Sequence, residues 1–254
     1  MTDTLSAEPP PMSPDGLVME TLLTPEGRAD PYPRYRLLRD AAPVHHSELG
    51  PVWFLTRWSD CNNVLRDPRL GKGSLDADRA ALFSPGLPPR QRSVMGNSML
   101  FVNPPDHTRL RGLVSRGFTP RQIARLEAHI GHMADVIVER MAEAGEVDVM
   151  DALAFRLPVQ VIGELVGVPP SDRDQFRVLV RNAAAALEPG VTDTQLDAAE
   201  HAMAVMDDYF RGLIARRRRD LDHDLTSALI AARDGDDRLT EDEMVATLIL
   251  LFSA

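Results

Sequence analysis

The alternation of apolar and polar residues along the chain predicts a mainly α protein with a small β-sheet. Apolar residues recur at helical spacing from Ile123 to Met141 and indicate a long amphipathic helix. Two runs rich in strand-forming residues, 44–48 and 52–56, are separated by a glycine and a proline, which is the pattern of a hairpin. We therefore expect helices to form the core, with one short hairpin.

The segment that begins at Thr240 has the pattern of a capped, aliphatic helix. Thr240 and Glu243 are three residues apart, so each side chain can accept a hydrogen bond from the other residue's backbone N–H. Residues 244–252 are mainly aliphatic, and no glycine, asparagine or basic turn follows them. We therefore expect this helix to continue in a longer natural protein, of which the chain is the N-terminal part.

The middle of the chain contains further helical segments. The apolar run that ends at Val166 predicts a core helix, with a kink at Pro158. Two amphipathic segments on either side of Pro189 predict a helix hairpin that could act as a lid. The four arginines at 216–219 are interpreted as cations at the negative end of a helix dipole, because three aspartates follow within the next five residues.

Two segments lack a regular pattern. Residues 1–29 are predicted to form a disordered leader, because the first 16 residues are polar and rich in proline. Residues 70–100 contain several glycines and prolines and predict a long irregular loop. We interpret it as a binding loop with apolar contacts at Leu82, Phe83 and Met95, and the alternative is a disordered connector.

Composition excludes several classes of protein. The chain has 254 residues and a net charge of -10, which argues against a general nucleic-acid binder. Cys61 is the single cysteine, so disulfide frameworks and multi-cysteine metal sites are excluded and a reducing, cytoplasmic location is favoured. The longest apolar run is too short to span a bilayer, so we expect a soluble protein with no membrane partner.

The strongest candidate for chemistry is a short basic helix that follows two prolines. His107 and Arg111 are four residues apart, so both side chains lie on one face near the positive end of the helix. Five arginines and no carboxylate occur between Asp106 and Glu127. Arginine can grip one carboxylate or phosphate with two hydrogen bonds while histidine donates to another. The pair therefore predicts a binding site for a ligand with two separated anionic groups.

Three motifs, in order and at the right separations, resemble the cytochrome P450 monooxygenases of the soluble bacterial type. The matching stretches are Asn103-Pro104-Pro105-Asp106-His107-Thr108-Arg109-Leu110-Arg111 with Phe118-Thr119-Pro120, then Leu225-Thr226-Ser227-Ala228-Leu229, and lastly Leu239-Thr240-Glu241-Asp242-Glu243-Met244 leading into Leu250-Leu251-Phe252-Ser253-Ala254. The resemblance extends from about Asp30 to Ala254 and implies a helical fold, incomplete at the C-terminus, in which residues 30–254 are the N-terminal portion of one domain.

The resemblance also implies a cofactor and roles for particular residues. By it, His107 and Arg111 bind the two propionates of a heme, iron protoporphyrin IX. The segment before their helix resembles a substrate-recognition loop, so Met99 and Leu100 would line the heme or substrate pocket. The last helix would pass over the oxygen-binding side of the heme and bring Leu250, Ser253 and Ala254 close to substrate or porphyrin.

The implied activity is insertion of one oxygen atom of O2 into a small apolar substrate, with electrons from a ferredoxin or flavodoxin-like partner. Arg109 and Arg116 are candidates for docking that acidic partner. The family's proton-delivering acid and threonine and its cysteine thiolate ligand do not occur in this chain, and Cys61 precedes the heme-binding helix. We therefore expect the chain alone to lack catalytic residues and metal ligands, to be inactive and to fold poorly. The alternative function is a non-catalytic helical module that binds heme or another dicarboxylate or phosphate ligand.

Overall fold

The computed structural model describes residues 12–48, 50–72, 88–118, 120–188, 191–233 and 236–253. The described chain is mainly helical, with one two-stranded antiparallel sheet. The elements in chain order are α1 (Pro14–Leu23), α2 (Pro25–Ala29), α3 (Tyr32–Ala41), β1 (Val44–His46), β2 (Trp53–Leu55), α4 (Trp58–Arg66), α5 (Pro89–Gly96), α6 (Asp106–Gly117), α7 (Pro120–Ala144), a π-helix (Met150–Ala154), α8 (Arg156–Val166), α9 (Pro170–Ala185), α10 (Asp193–Arg219), α11 (Leu225–Ala231) and α12 (Glu241–Ser253). Within this described part, no helix is both long and apolar enough to cross a membrane. The predicted mainly α fold with a small sheet is confirmed.

The chain divides into two compact units, Met1–Gly71 and Lys72–Ala254. The boundary lies within the stretch that the sequence pattern assigns to a single domain from residue 30. The first unit has a small core of Leu17, Val18 and Leu38. Its predicted hairpin is present, with Val44 opposite Leu55 and His46 opposite Trp53.

The first helices differ from the expected disordered leader. Ser13 caps α1 by accepting a hydrogen bond from the Gly16 N–H, at 3.1 Å. Thr24 caps α2 in the same way, with the Gly27 N–H at 2.9 Å from its Oγ1. A proline follows each cap at the first helical position, where its missing N–H costs nothing. The leader prediction is therefore wrong for residues 14–29, and residues 1–11 lie outside the described part.

A single carboxylate joins α1 to the hairpin. Asp15 Oδ1 lies 2.8 Å from His45 Nε2 and accepts a hydrogen bond from Ser47 Oγ at 2.7 Å. Asp15 Oδ2 accepts a hydrogen bond from the Glu48 N–H at 2.9 Å. The hydrogen bonds from Ser47, His45 and Glu48 lower the pKa of Asp15 from 3.8 to about 2. The ionised carboxylate therefore holds the hairpin against the helix.

We expect the first unit to lose stability in acid as this carboxylate takes up a proton. Because the folded pKa of Asp15 lies below the unfolded value, the contribution is complete above pH 4 and is lost as pH falls towards about 2. Asp15→Asn should remove this pH dependence and loosen α1 at neutral pH. Amide hydrogen exchange of residues 16–22 measures both effects, and equal exchange in wild type and variant at pH 6 would contradict the role of Asp15.

Three phenylalanines form the centre of the second unit. The ring of Phe176 on α9 lies 5.4 Å from that of Phe210 on α10 and 4.5 Å from that of Phe252 on α12, centroid to centroid. All three residues are buried. Aromatic rings at these separations add to the free energy gained by removing their surface from water. The last predicted helix is therefore part of the core, and the capping box at its start is present, with the Thr240 N–H 2.8 Å from Glu243 Oε2.

A polar network joins three further helices of this unit. Asp224 caps α11 by accepting from the Ser227 N–H at 2.8 Å, and the same side chain pairs with Arg217 of α10. Arg217 also donates to the carbonyl of Gly167, which ends α8. Gly167 has a φ of +87°, and a Cβ there would lie 2.0 Å from Asp224 Oδ2, so only glycine fits. Arg217 therefore links α8, α10 and α11, and the interpretation of the four arginines at 216–219 as cations at the helix dipole stays a prediction.

Two further segments differ from the prediction. Residues 89–96 of the expected irregular loop form α5, which Pro89 begins at its first position, while residues 73–87 lie outside the described part. The apolar segment before Val166 is a π-helix followed by α8. Pro158 is the third residue of α8, within the first turn, where proline is tolerated, so it does not interrupt the helix.

Candidate functional site

The helix α6 forms where the sequence predicts it and places the two candidate ligand-binding side chains on one face. Its first turn is closed by hydrogen bonds from the His107 N–H to the Asn103 carbonyl at 2.9 Å and from the Arg109 N–H to the Pro105 carbonyl at 3.1 Å. Pro105 carries no N–H, so the start of the helix leaves one fewer donor without a partner. His107 and Arg111 follow one helical turn apart.

Both side chains line a cleft of about 460 Å³ in the second unit. Its walls come from the segment before α6, from α6 itself and from α12. The lining residues are Lys72, Met99, Leu100, His107, Arg111, Val114, Ser115, Phe118, Leu250 and Leu251. The cleft has the size of a small-molecule or cofactor site, and its lining combines six apolar residues with Lys72, His107, Arg111 and Ser115.

The side chains of His107 and Arg111 have no hydrogen-bond or ion-pair partner within the described part of the chain. His107 is half-buried and Arg111 is exposed, and neither side chain makes a hydrogen bond or ion pair to another described residue. The remaining walls are largely apolar, with Met99, Leu250 and Leu251 among them. Such an arrangement can bind a ligand with an apolar body and an anionic edge, because hydrogen bonds between charged partners are the strong ones.

A neighbouring arginine of the same helix has a different role. Arg109 pairs with Glu243 of α12 and with Asp237, whose Oδ1 lies 3.3 Å from its Nη1. Glu243 also accepts from the Thr240 N–H, so one carboxylate both caps α12 and joins it to α6. Arg116 donates to the Arg233 carbonyl at 2.5 Å. The two arginines suggested for docking an electron donor therefore bind within the protein.

The cleft contains five of the predicted site residues: Met99, Leu100, His107, Arg111 and Leu250. Met95 and Ser253 do not line it. Met95 is buried on α5, and the hydroxyl of Ser253 donates to the Ile249 carbonyl of its own helix at 2.8 Å. The other predicted pocket residues, Leu82, Phe83 and Ala254, lie outside the described part of the chain.

Five residues that line the cleft are not among those predicted from the sequence. Val114 lies seven residues after His107, and Ser115 lies four residues after Arg111. Helical periodicity therefore places both on the face of α6 that carries His107 and Arg111. Leu251 adjoins a predicted pocket residue. Phe118 follows directly after α6. Lys72 lies more than 30 residues before the helix, and no local pattern places it in the cleft.

Replacement by alanine is expected to have opposite effects on stability at two glycines of α6. A Cβ at Gly117 would lie 2.7 Å from Leu225 Cδ1 of α11, whereas a Cβ at Gly112 would have nothing within 4 Å. Leu225 is fully buried, so moving its methyl group aside would disturb the packing around it. We expect Gly117→Ala to destabilise the protein by about 1–3 kcal/mol through overpacking. Gly112→Ala should stabilise it by about 0.5–1 kcal/mol through helix propensity.

Urea unfolding of the two alanine variants measures this difference, and each variant controls for the other because both lie on α6. Equal unfolding midpoints for Gly117→Ala and Gly112→Ala would show that α6 does not pack on α11 at Gly117.

No family model matches the chain. It is, however, 40% identical over 232 residues to a curated protein named vitamin D(3) 25-hydroxylase from Pseudonocardia autotrophica, covering 89% of this chain and 54% of that protein. It is 35% identical to the cytochrome P450 monooxygenase PikC of Streptomyces venezuelae, covering 89% of this chain and 52% of PikC. The chain thus spans about half the length of these curated relatives.

Solved structures agree with the sequence comparison. The crystal structure of P450BioI with an acyl carrier protein carrying hexadec-9Z-enoic acid matches with a TM-score of 0.79 at 28% identity, covering 90% of this chain and 58% of that chain. The crystal structure of CalO2 matches with a TM-score of 0.76 at 30% identity, covering 92% of this chain and 57% of that chain. Over the part of the family's length that it spans, the chain belongs to the cytochrome P450 family.

Proposed function

We propose that the chain forms the distal-side portion of a heme-dependent monooxygenase, which inserts one oxygen atom of O2 into a small apolar substrate. The observation that carries the proposal is the pair His107 and Arg111, which line an apolar cleft and have no partner among the described residues. Members of the family to which the chain belongs bind heme, which supports this cofactor. The alternative, a module for another dicarboxylate or phosphate, gains no support from the relatives.

The side chains that line the cleft match the chemistry of the heme edge that carries the propionates. Heme has a flat apolar body and two carboxylates on one edge, and the cleft offers apolar walls with donors beside them. Arg111 would hold one propionate with two hydrogen bonds, and His107 would donate to the other. When bound, heme supplies the redox chemistry of oxygen activation. The thiolate ligand and the proton-delivering residues are proposed to lie outside this chain.

The other cleft residues would orient the cofactor and exclude water from its face. Leu250 and Leu251 lie on α12, which is firmly anchored because its other side is buried in the core. Met99 and Leu100 come from the segment before α6, which the family resemblance associates with substrate recognition. An environment lined by these side chains favours apolar molecules, since burying polar groups without partners is costly.

The proposed substrate is a sizeable apolar molecule. One relative is named as a hydroxylase of vitamin D(3), and the P450BioI structure contains a 16-carbon acyl group on its carrier protein. Both names mention molecules with a large apolar body. We propose a ferredoxin or flavodoxin-like protein as the electron donor. Its docking surface is not proposed at Arg109, because that side chain is paired with Glu243 and Asp237.

Porphyrin binding tests the proposal without the missing thiolate. The 254-residue chain should bind metal-free protoporphyrin IX at least about tenfold more tightly than its dimethyl ester, because esterification removes both charges that the cleft is proposed to hold. Quenching or enhancement of porphyrin fluorescence during titration gives both affinities. Equal affinities for acid and ester would overturn the proposal, and displacement of the porphyrin by millimolar succinate would favour the alternative module.

A further inference from the structure

Lys72 is the single lysine of the chain, which contains 28 lysines and arginines in total. It lines the same cleft as His107 and Arg111, although it precedes them by more than 30 residues. None of the expectations from the family motifs involves this residue. Its side chain therefore needs a separate explanation.

The backbone of Lys72 is fixed at the cleft by a pair of hydrogen bonds. Its N–H donates to Asn103 Oδ1 at 2.8 Å, and its carbonyl accepts from Asn103 Nδ2 at 2.7 Å. Asn103 lies four residues before His107 and accepts the His107 N–H at its own carbonyl. The position of Lys72 is thus tied directly to the start of α6.

The ammonium group of Lys72 is in contrast held only weakly. Nζ donates to the carbonyl of Leu100, a neutral acceptor that is also part of the cleft wall. Lys72 and Leu100 are exposed, so water can replace either partner at little cost. Lysine has a flexible four-carbon stem and can reorient its charge without moving the backbone.

The charges in the cleft leave room for a second cation. A ligand edge with two ionised carboxylates carries two negative charges, and Arg111 supplies one positive charge. Histidine can donate a hydrogen bond to a carboxylate without carrying a full charge. Lys72 is the other cationic side chain among the described lining residues.

We propose that Lys72 binds the second carboxylate of the heme edge, exchanging the Leu100 carbonyl for a propionate when the cofactor is present. The exchange replaces a hydrogen bond to a neutral carbonyl by one to an oppositely charged carboxylate, which binds the ammonium group more strongly. This inference rests on the proposed function, and it names a binding residue beyond the His107 and Arg111 pair. It also connects cofactor binding to the segment that contains Leu100.

Affinity measurements with the 254-residue chain test the role of Lys72. Lys72→Met should weaken binding of protoporphyrin IX by about threefold to tenfold at low salt, and Lys72→Arg should retain most of the affinity. Binding of the dimethyl ester should be the same in all variants. Arg69→Met is the matched control, because Arg69 is exposed, pairs with Asp67 and is absent from the cleft lining. Far-UV circular dichroism confirms that each variant is folded.

The single lysine also allows a direct spectroscopic test. Reductive methylation with ¹³C-formaldehyde labels Lys72 and the terminal amine, keeps their charge and gives signals that Lys72→Arg assigns. A carboxylate placed beside the amine changes its surroundings, so protoporphyrin IX should shift the ¹³C signal of Lys72 more than the dimethyl ester does. A purely structural lysine would show no such difference.

The possible failures are distinguishable. If wild-type protein prefers acid over ester but Lys72→Met binds both as wild type does, the role of Lys72 is overturned and the proposed function stands. If wild-type protein shows no preference for the acid, the proposed function fails, and the role of Lys72 fails with it.

Discussion

Replacing Arg111 by methionine is expected to weaken binding of protoporphyrin IX to the chain by about tenfold to a hundredfold. Methionine keeps most of the apolar stem but removes the charge and its donors, and a hydrogen bond to a charged group contributes about 1.5–3 kcal/mol. Arg111 is exposed at the cleft, so its loss should not unfold α6. Fluorescence titration at low and high salt measures the affinity, and the difference between wild type and variant should shrink as salt screens the charges.

Arg219→Met is the matched control for charge removal. Arg219 is also an exposed arginine, and its Nε donates to the Ala215 carbonyl of its own helix at 3.2 Å. It does not line the cleft. The control should bind protoporphyrin IX as wild type does. An Arg111→Met variant that also binds like wild type would rule out the propionate role of Arg111.

Replacing Asp224 by alanine is expected to destabilise the second unit by about 3 kcal/mol. The Asp224 side chain is 7% exposed, and it both pairs with Arg217 and caps α11. Its removal leaves a largely buried guanidinium without its main partner, which is among the costliest single changes in a protein. Loss of the helix cap accounts for about 1 kcal/mol of this total. Chemical unfolding followed by circular dichroism measures the change.

Asp222→Ala separates burial from simple charge pairing at the same arginine. Asp222 Oδ2 lies 3.6 Å from Arg217 Nη2, but the Asp222 side chain is 62% exposed. Exposed pairs contribute about 0–1 kcal/mol, so this variant should unfold almost as wild type does. If the two alanine variants lose equal stability, the Arg217–Asp224 pair is not the buried link that the structure indicates.

The parts of the fold that follow short-range rules could be predicted from the sequence. The helical spacing of His107 and Arg111, the capping box of Thr240 and Glu243, and the hairpin all depend on neighbouring residues. Each has a local physical cause, either helical periodicity or the satisfaction of backbone N–H groups. The family motifs add the identity of the expected ligand, heme.

The rest depends on contacts between residues far apart in the chain. The position of Lys72 is fixed by Asn103, 31 residues later. The Arg217 side chain meets Gly167 and Asp224 only because three helices converge. The N-terminal helices differ from the prediction for another reason. The leader was predicted from the proline-rich composition of the first 16 residues, which does not reveal the caps at Ser13 and Thr24. Composition describes an average, whereas a cap depends on one residue.

The ion pair of Glu243 fixes the helical register of α12, and with it the position of the cleft wall. Glu243 is held to Arg109 on α6, and Leu250 follows it after seven residues, which is two helical turns or about 10 Å along α12. The link to α6 and the far wall of the cleft therefore lie on the same side of α12. One residue inserted between them would leave the cap intact and rotate the wall by about 100°. A substitution at Leu250 or Leu251 would therefore change the chemistry of the wall in place, whereas an insertion before them would move the wall itself.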